Sequence, residues 1–185
     1  MAEHIPLSQA EGIVAFWRAA GPERWFKKDA AFDAEIAARF PAAREAAARG
    51  DLDEWLATPT GALALILLLD QFPRNLHRGD ARAFSTDEHA LRVAYEAGRR
   101  GFDAAFETPL RRFFYLPMMH SESLADQDHC IARCRAAGDE EGARFGELHR
   151  DIVARFGRFP HRNAALGRAT TAEEQAFLDD GGFAG

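Results

Sequence analysis

The chain of 185 residues is poor in cysteine and tyrosine, with two of each. Cys130 and Cys134 lie one helical turn apart, with neither CxxC spacing nor further thiolates nearby. They read as small core residues of a reducing compartment rather than as a metal or redox pair. A net positive charge is also lacking: acids outnumber bases 29 to 23, and the net charge of −6 argues against a general binder of nucleic acid or of an anionic membrane surface. The uninterrupted apolar run Gly61–Leu69 is far shorter than the roughly 20 residues that cross a bilayer, so it is a core helix and no membrane association is expected. The N-terminus has no basic region followed by an apolar stretch, which leaves no signal peptide and a cytoplasmic location as the expectation. No GxSxG, P-loop, GxGxxG or HExxH occurs, so serine-hydrolase, nucleotide and zinc-helix readings lack their anchors and no cofactor is assigned. Period-two alternation never persists long enough for a sheet.

What remains is a helical composition with a bulky core. The chain is 47% hydrophobic and 28% charged, with 15 phenylalanines. It is long enough for one all-helical domain over residues 1–185, with a loose tail from about residue 180. Gly and Pro punctuation cuts out about eight to ten helices. Ser8, Asp29, Thr58 or Thr60, Thr86 and Ser123 are expected caps, and Thr171 with Glu174 forms a capping box. Gly50 closes one helix. A long helix over Glu140–Phe159 is expected to turn Phe145, His149, Ile152 and Phe156 to one face. No 34-residue repeat is visible, so the expected all-α architecture is an irregular stack of helical hairpins.

The chemistry gathers where apolar helices end. In GALALILLLDQFPRN, Gly61 to Leu69 have no solvent face, and Asp70 then meets the negative end of the helix dipole. Pro73 is expected to stop this helix at Phe72. RFPHRN (Arg158–Asn163) repeats the pattern of Phe-Pro followed by Arg and Asn. Each corner is either a C-cap that satisfies the last carbonyls, or half of a shared polar cavity. In the second case Arg74, Arg155, Arg158 and Arg162 form a cationic wall for a carboxylate or phosphate, with Asp70 as internal counter-ion and Asn75 and Asn163 beside it.

A third cluster, HSESLAD (His120–Asp126), follows the apolar FFYLPMM. His120 and Glu122 do not share a helical face and would have to converge in a turn. With His129 or His149 they form a nominal metal set without metal-ligand spacing, so no metal site is assigned. A plain helix start, with Ser123 as cap and Glu122 near the dipole, is the alternative. His149 lies on an apolar stripe, where a satisfied core histidine is the commoner case. His161 adjoins the arginine-rich corner.

Three long segments, LILLLDQFPRNLHRGDARAFSTD (65–87), FFYLPMMHSESLADQ (113–127) and HRDIVARFGRFPHRNAALGRATTAEE (149–174), resemble the bacterial domain-of-unknown-function family 924. Trp17, Trp25-Phe26 and Trp55 are similar to its N-terminal part. The resemblance implies a tetratricopeptide-like helical fold and no activity. Its motif residues fall on Asp70, Gln71, Arg74, Asn75, His120, Glu122, Asp126, His161, Arg162 and Asn163; Ser123 stands where an acidic residue is expected. Three readings follow. The first is a binding module for a small anionic ligand or peptide end, using Asp70, Arg74, Asn75, Asp126, Arg158, Arg162 and Asn163. The second is a structural or protein-partner protein whose motifs cement the corners. The third is a hydrolase using His120 or His161 with Glu122 or Asp126 as acid and base. The sequence does not set an oligomeric state.

Overall fold

Everything is organised around one buried helix. The computed structural model describes residues 5–183, and the regular elements among them are all helical. They are α1 (Ser8–Ala20), α2 (Pro22–Trp25), α3 (Ala30–Arg39), α4 (Pro41–Arg49), α5 (Pro59–Ile66), α6 (Phe72–Leu76), α7 (Asp87–Arg99), α8 (Leu116–Met119), α9 (Leu124–Ala136), α10 (Glu140–Phe156) and α11 (Ala172–Asp179), joined by short 3₁₀ turns. From Gly61 to Gln71 no residue reaches solvent appreciably. α5 is enclosed by α1, α7 and the turn at Asp53–Ala57. Gly61 makes that approach possible: a Cβ there would stand 2.0 Å from the Trp55 carbonyl oxygen. Beside this helix Trp17 packs on Phe32, Phe72 and Phe113, with ring centroids 5.5, 5.8 and 5.4 Å away. These aromatic contacts add to the large apolar area the rings bury.

Pro73 does not end the helix, contrary to expectation. The turn Leu67–Gln71 widens to π geometry and the chain runs on as α6 to Leu76. The Phe72 N–H bonds back five residues, to the Leu67 carbonyl. Pro73 has no N–H for the Leu69 carbonyl, and the Thr86 hydroxyl donates to that oxygen instead at 2.5 Å. A π turn with a side chain supplying the missing donor is how a helix passes a proline. Thr86 is thereby diverted from capping α7, for which it makes no side-chain bond.

The other caps divide. Asp29 accepts from Ala31 and Phe32, Thr58 from Gly61, and the Thr171–Glu174 capping box is complete. Gly50 takes the left-handed C-cap. Ser8 makes no cap bond. Ser123 makes none either; Ser121 accepts from the Ser123 N–H and donates to Asp126. α9 and α10 form an antiparallel hairpin whose contact is glycine-lined. A Cβ on Gly146 would meet Ile131 Cγ1 at 2.9 Å. The buried face of α10 therefore runs through Gly142, Gly146, His149 and Val153, and Phe145 points outward. Asp139 caps α10 and, buried, takes both Nε and a terminal nitrogen of Arg112 at 2.6 Å, an ion pair that ties the hairpin to the Leu110–Phe114 turn. Phe183 of the expected loose tail packs on His149 with centroids 4.5 Å apart; residues 184–185 lie outside the described part.

Candidate functional site

The widened turn presents Asp70 sideways rather than at a free helix end. It is fully buried and accepts from His120 Nδ1 at 2.8 Å and Gln71 Nε2 at 2.6 Å, with Arg74 3.1 Å away. Burial alone would raise its pKa. The Arg74 charge and the hydrogen bonds from His120 and Gln71 win and hold it well below the usual carboxylate range. Arg74 then reaches across to Asp87, giving two parallel bonds of 2.7 and 2.8 Å, and a third bond to the Asp70 carbonyl. This forked pairing is the strong form of an arginine–carboxylate contact.

Arg162 arrives from the second corner. It stacks between Phe84 and Phe159, its guanidinium carbon 4.7 and 4.6 Å from the two ring centroids. One terminal nitrogen donates to the His120 carbonyl at 2.9 Å, closing the end of α8. The other stands 3.4 Å from Asp87, the weakest ion pair of the network, and Nε is buried with no partner. Desolvation and the neighbouring Arg74 charge outweigh Asp87, Glu122 and Asp70 and lower the Arg162 pKa to about 10.

Three imidazoles surround this arginine. His120 is held neutral by burial and by Arg74, against the pull of Asp70. With Nδ1–H given to Asp70, its Nε2 has no partner among the described residues, and the side chain is 16% exposed. His149 donates Nδ1–H to the Phe145 carbonyl at 2.7 Å, and burial lowers its pKa to about 4. His161 sits against Phe159 and Phe183 with Nδ1 buried and unpartnered. Burial, then the charges of Arg162, His149, His120 and Arg74, lower its pKa to about 3.

The two corners thus meet through Asp87, to which Arg74 and Arg162 both extend, but only part of the expected set takes part. Asn75 turns to Asp33 at 2.7 Å, where Arg78 also pairs. Asn163 turns to Glu174 at 3.2 Å, which Arg158 grips at 2.6 and 2.8 Å. Arg155 pairs with Glu173. The expected four-arginine wall is therefore two arginines, because acidic residues of α11 claim the others. Glu122 accepts the Phe159 N–H and both terminal nitrogens of Arg168, so it pins the second corner and does not pair with His120. Asp126 takes the Tyr95 and Ser121 hydroxyls. Neither carboxylate is the histidine's partner; Asp70 is. Among the described residues no group of three or more His, Cys, Asp or Glu is disposed to hold a metal ion. Sequence reasoning missed Phe84, Asp87 and Arg168. Asp87 stands in the first turn of α7, where an acid is favoured in any case, and nothing local marks it as an arginine partner.

An all-helical fold with a buried Asp–His–Arg network at the junction of two Phe-Pro corners defines the class. The chain belongs to the bacterial family of proteins of unknown function DUF924, whose profile matches residues 13–182. It is similar to the structure of the protein of unknown function ATU0120 from Agrobacterium tumefaciens, at 50% identity and a TM-score of 0.90, covering 94% of this chain and 98% of that one. No curated protein matches the chain. No helix among the described residues is long and apolar enough to cross a membrane.

Proposed function

We propose that the junction of the two corners is a binding site for the anionic end of a small molecule or peptide, received where His120, Arg74 and Arg162 border solvent. The observation that supports this is the incomplete pairing of Arg162. A buried guanidinium whose only carboxylate lies 3.4 Å away, with Nε unpartnered, has unused donors. Buried charge without full compensation is costly, and an incoming carboxylate or phosphate would offset that cost. The aromatic sandwich from Phe84 and Phe159 keeps the guanidinium plane fixed, as forked recognition requires. Calorimetry against a panel of carboxylates and phosphates tests it. Saturable binding that Arg162→Ala and Arg74→Ala weaken is expected; no binding, or binding that both leave unchanged, sinks the reading.

A second reading rests on a different observation, the Asp70–His120 pair. A buried carboxylate that holds Nδ1–H leaves the opposite nitrogen unprotonated and outward, the arrangement of a general base. A hydrolytic reaction would use His120 oriented by Asp70, with Arg162 beside a developing negative charge. A broad ester and phosphoester screen against His120→Ala decides it: turnover that survives that substitution excludes His120 as the base.

A further inference from the structure

Beside Thr86 lies a cleft of about 200 Å³ between α4, α6 and the Ala81–Phe84 turn. Its charged lining is basic: Arg44, His77 and Arg82, over an apolar floor that includes Leu68 and Pro73; of the two hydroxyls beside them, that of Ser85 donates to the Arg82 carbonyl. Arg44 is the unusual member. Among the described residues it pairs with no carboxylate; one terminal nitrogen donates to His77 Nε2 at 3.2 Å, and Nε is buried with no partner. Since arginine is a permanent donor, His77 must present a bare Nε2, so the ring is neutral. Arg82, by contrast, is paired with Asp80 at 3.0 Å on Nε and a terminal nitrogen. The Thr86 hydroxyl proton is committed to Leu69, leaving nitrogen donors to define what the cleft accepts.

We propose that this cleft binds a phosphate-type dianion, with the Arg44 fork as its main ligand and His77 as the second cation once the ring takes up a proton. The site is distinct from the Arg162 junction. An arginine in a concave, partly apolar cleft attracts an anion more strongly than one on an open surface, because the local dielectric is lower. The preference for a dianion comes from the pair: a single carboxylate would satisfy Arg44 alone, whereas two negative charges also favour protonated His77. The groups that face His77 are Arg44 and Arg82, which with burial disfavour its protonation, and Asp80, which favours it. A bound dianion tips that balance toward the imidazolium, so binding takes up a proton and tightens as pH falls.

Sulfate is the probe of choice, because its own charge does not change across the range, with glycerol phosphate and acetate alongside. Calorimetric titration of the whole chain is expected to give saturable binding of sulfate and glycerol phosphate, and weaker binding of acetate. Arg44→Met should weaken the dianions about tenfold or more, read in an Arg162→Ala background that removes any binding at the junction and leaves the cleft. From about pH 8 to about pH 6 sulfate affinity should rise in the unmodified chain and stay flat in His77→Gln. Should Arg44→Met fail to fold, Arg44→Lys, which keeps the charge and loses the fork, carries the same comparison. A monoester that binds more tightly than sulfate points to an organic phosphate seated on Leu68 and Pro73; equal affinities point to the free oxyanion. Absence of saturable dianion binding, insensitivity to both Arg44 substitutions, or loss of sulfate binding in Arg162→Ala overturns the assignment. The last result would move the dianion to the junction, and failure of the junction reading leaves this cleft untouched.

Discussion

Replacing Asp70 with alanine isolates the central charge of the network. The side chain is fully buried and receives hydrogen bonds from His120 and Gln71, with Arg74 in ion-pair range. Arg74 keeps its forked bond to Asp87 in the variant, so that arginine is only half deprived. His120 Nδ1–H and the Gln71 amide lose their acceptor in a space closed to water. Removing one member of a buried charged pair typically costs about 3–5 kcal/mol. Against a total stability of about 5–15 kcal/mol this is a large fraction. For a chain of this length it corresponds to a fall in Tm of about 6–20 °C. Urea unfolding near neutral pH, followed by far-ultraviolet circular dichroism, measures it; the m-value should hold and the midpoint should fall. Asp70→Asn sharpens the test. The amide has the same shape but one acceptor oxygen for three donors, so it should recover little of the loss. A cost below about 1 kcal/mol for Asp70→Ala would show that Asp87 alone satisfies the cluster, and would refute the network as the element that fixes this junction.

The remaining predictions concern the frame and the imidazoles. Thr86→Val should cost about 1–3 kcal/mol by orphaning the Leu69 carbonyl, and less in a Pro73→Ala background, where residue 73 regains an N–H; equal costs in both backgrounds would refute the account of the π turn. Gly61→Ala should destabilise by at least about 1–3 kcal/mol, because the obstacle is the Trp55 backbone oxygen. Gly12→Ala, in open space on α1, should instead stabilise by about 0.5–1 kcal/mol; denaturation midpoints of the two variants should move in opposite directions. His149 and His161 have folded pKa values near about 4 and about 3. Unfolded histidine titrates near 6.5, so the unfolded chain binds more protons below that pH. Their stabilisation is complete above about pH 6.5 and is lost as pH falls toward those values, by about 1.4 kcal/mol per pH unit per ring. His161→Phe should lessen the slope of stability against pH between about 6.5 and 4; an unchanged slope refutes a neutral buried His161.

How much of this was legible in the sequence depends on how local the cause is. The buried helix, the Asp29 and Thr58 caps and the Thr171–Glu174 box all follow from neighbours within four residues, and they are where the sequence places them. Pro73 departs from its local expectation because its effect depends on Thr86, thirteen residues on in the chain, supplying the donor that proline lacks. On α10 the expected face holds at His149 and Ile152 and fails at Phe145 for a similar reason: a helix stripe is drawn from apolar residues, whereas α10 lies so close to α9 that glycine occupies the contact. At the corners, the sequence gathers the right residue types but cannot apportion them. The arginines and acids gathered there admit many pairings, and only the placement of α11 sends Arg158 to Glu174 while Arg162 is left to Asp87.

That apportioning separates the two roles the motif residues could share. Glu122 and Arg158 are engaged across the second corner, and Asn75 with Asp33 does the same at the first; Asn163 reaches Glu174 through its amide nitrogen while its buried oxygen has no partner. Glu122, Arg158 and Asn75 each join a motif to another segment with bonds of 2.6 to 3.0 Å. Arg162 and His120 differ, the first by its unpartnered Nε and long ion pair, the second by its free Nε2. A group kept only for cohesion gains nothing from staying incompletely bonded, since an unmade buried hydrogen bond costs more than a made one returns. On the proposed reading the cementing residues and the recognising residues are different members of the same motifs, and substitutions in the first set should move melting temperature while those in the second move ligand affinity.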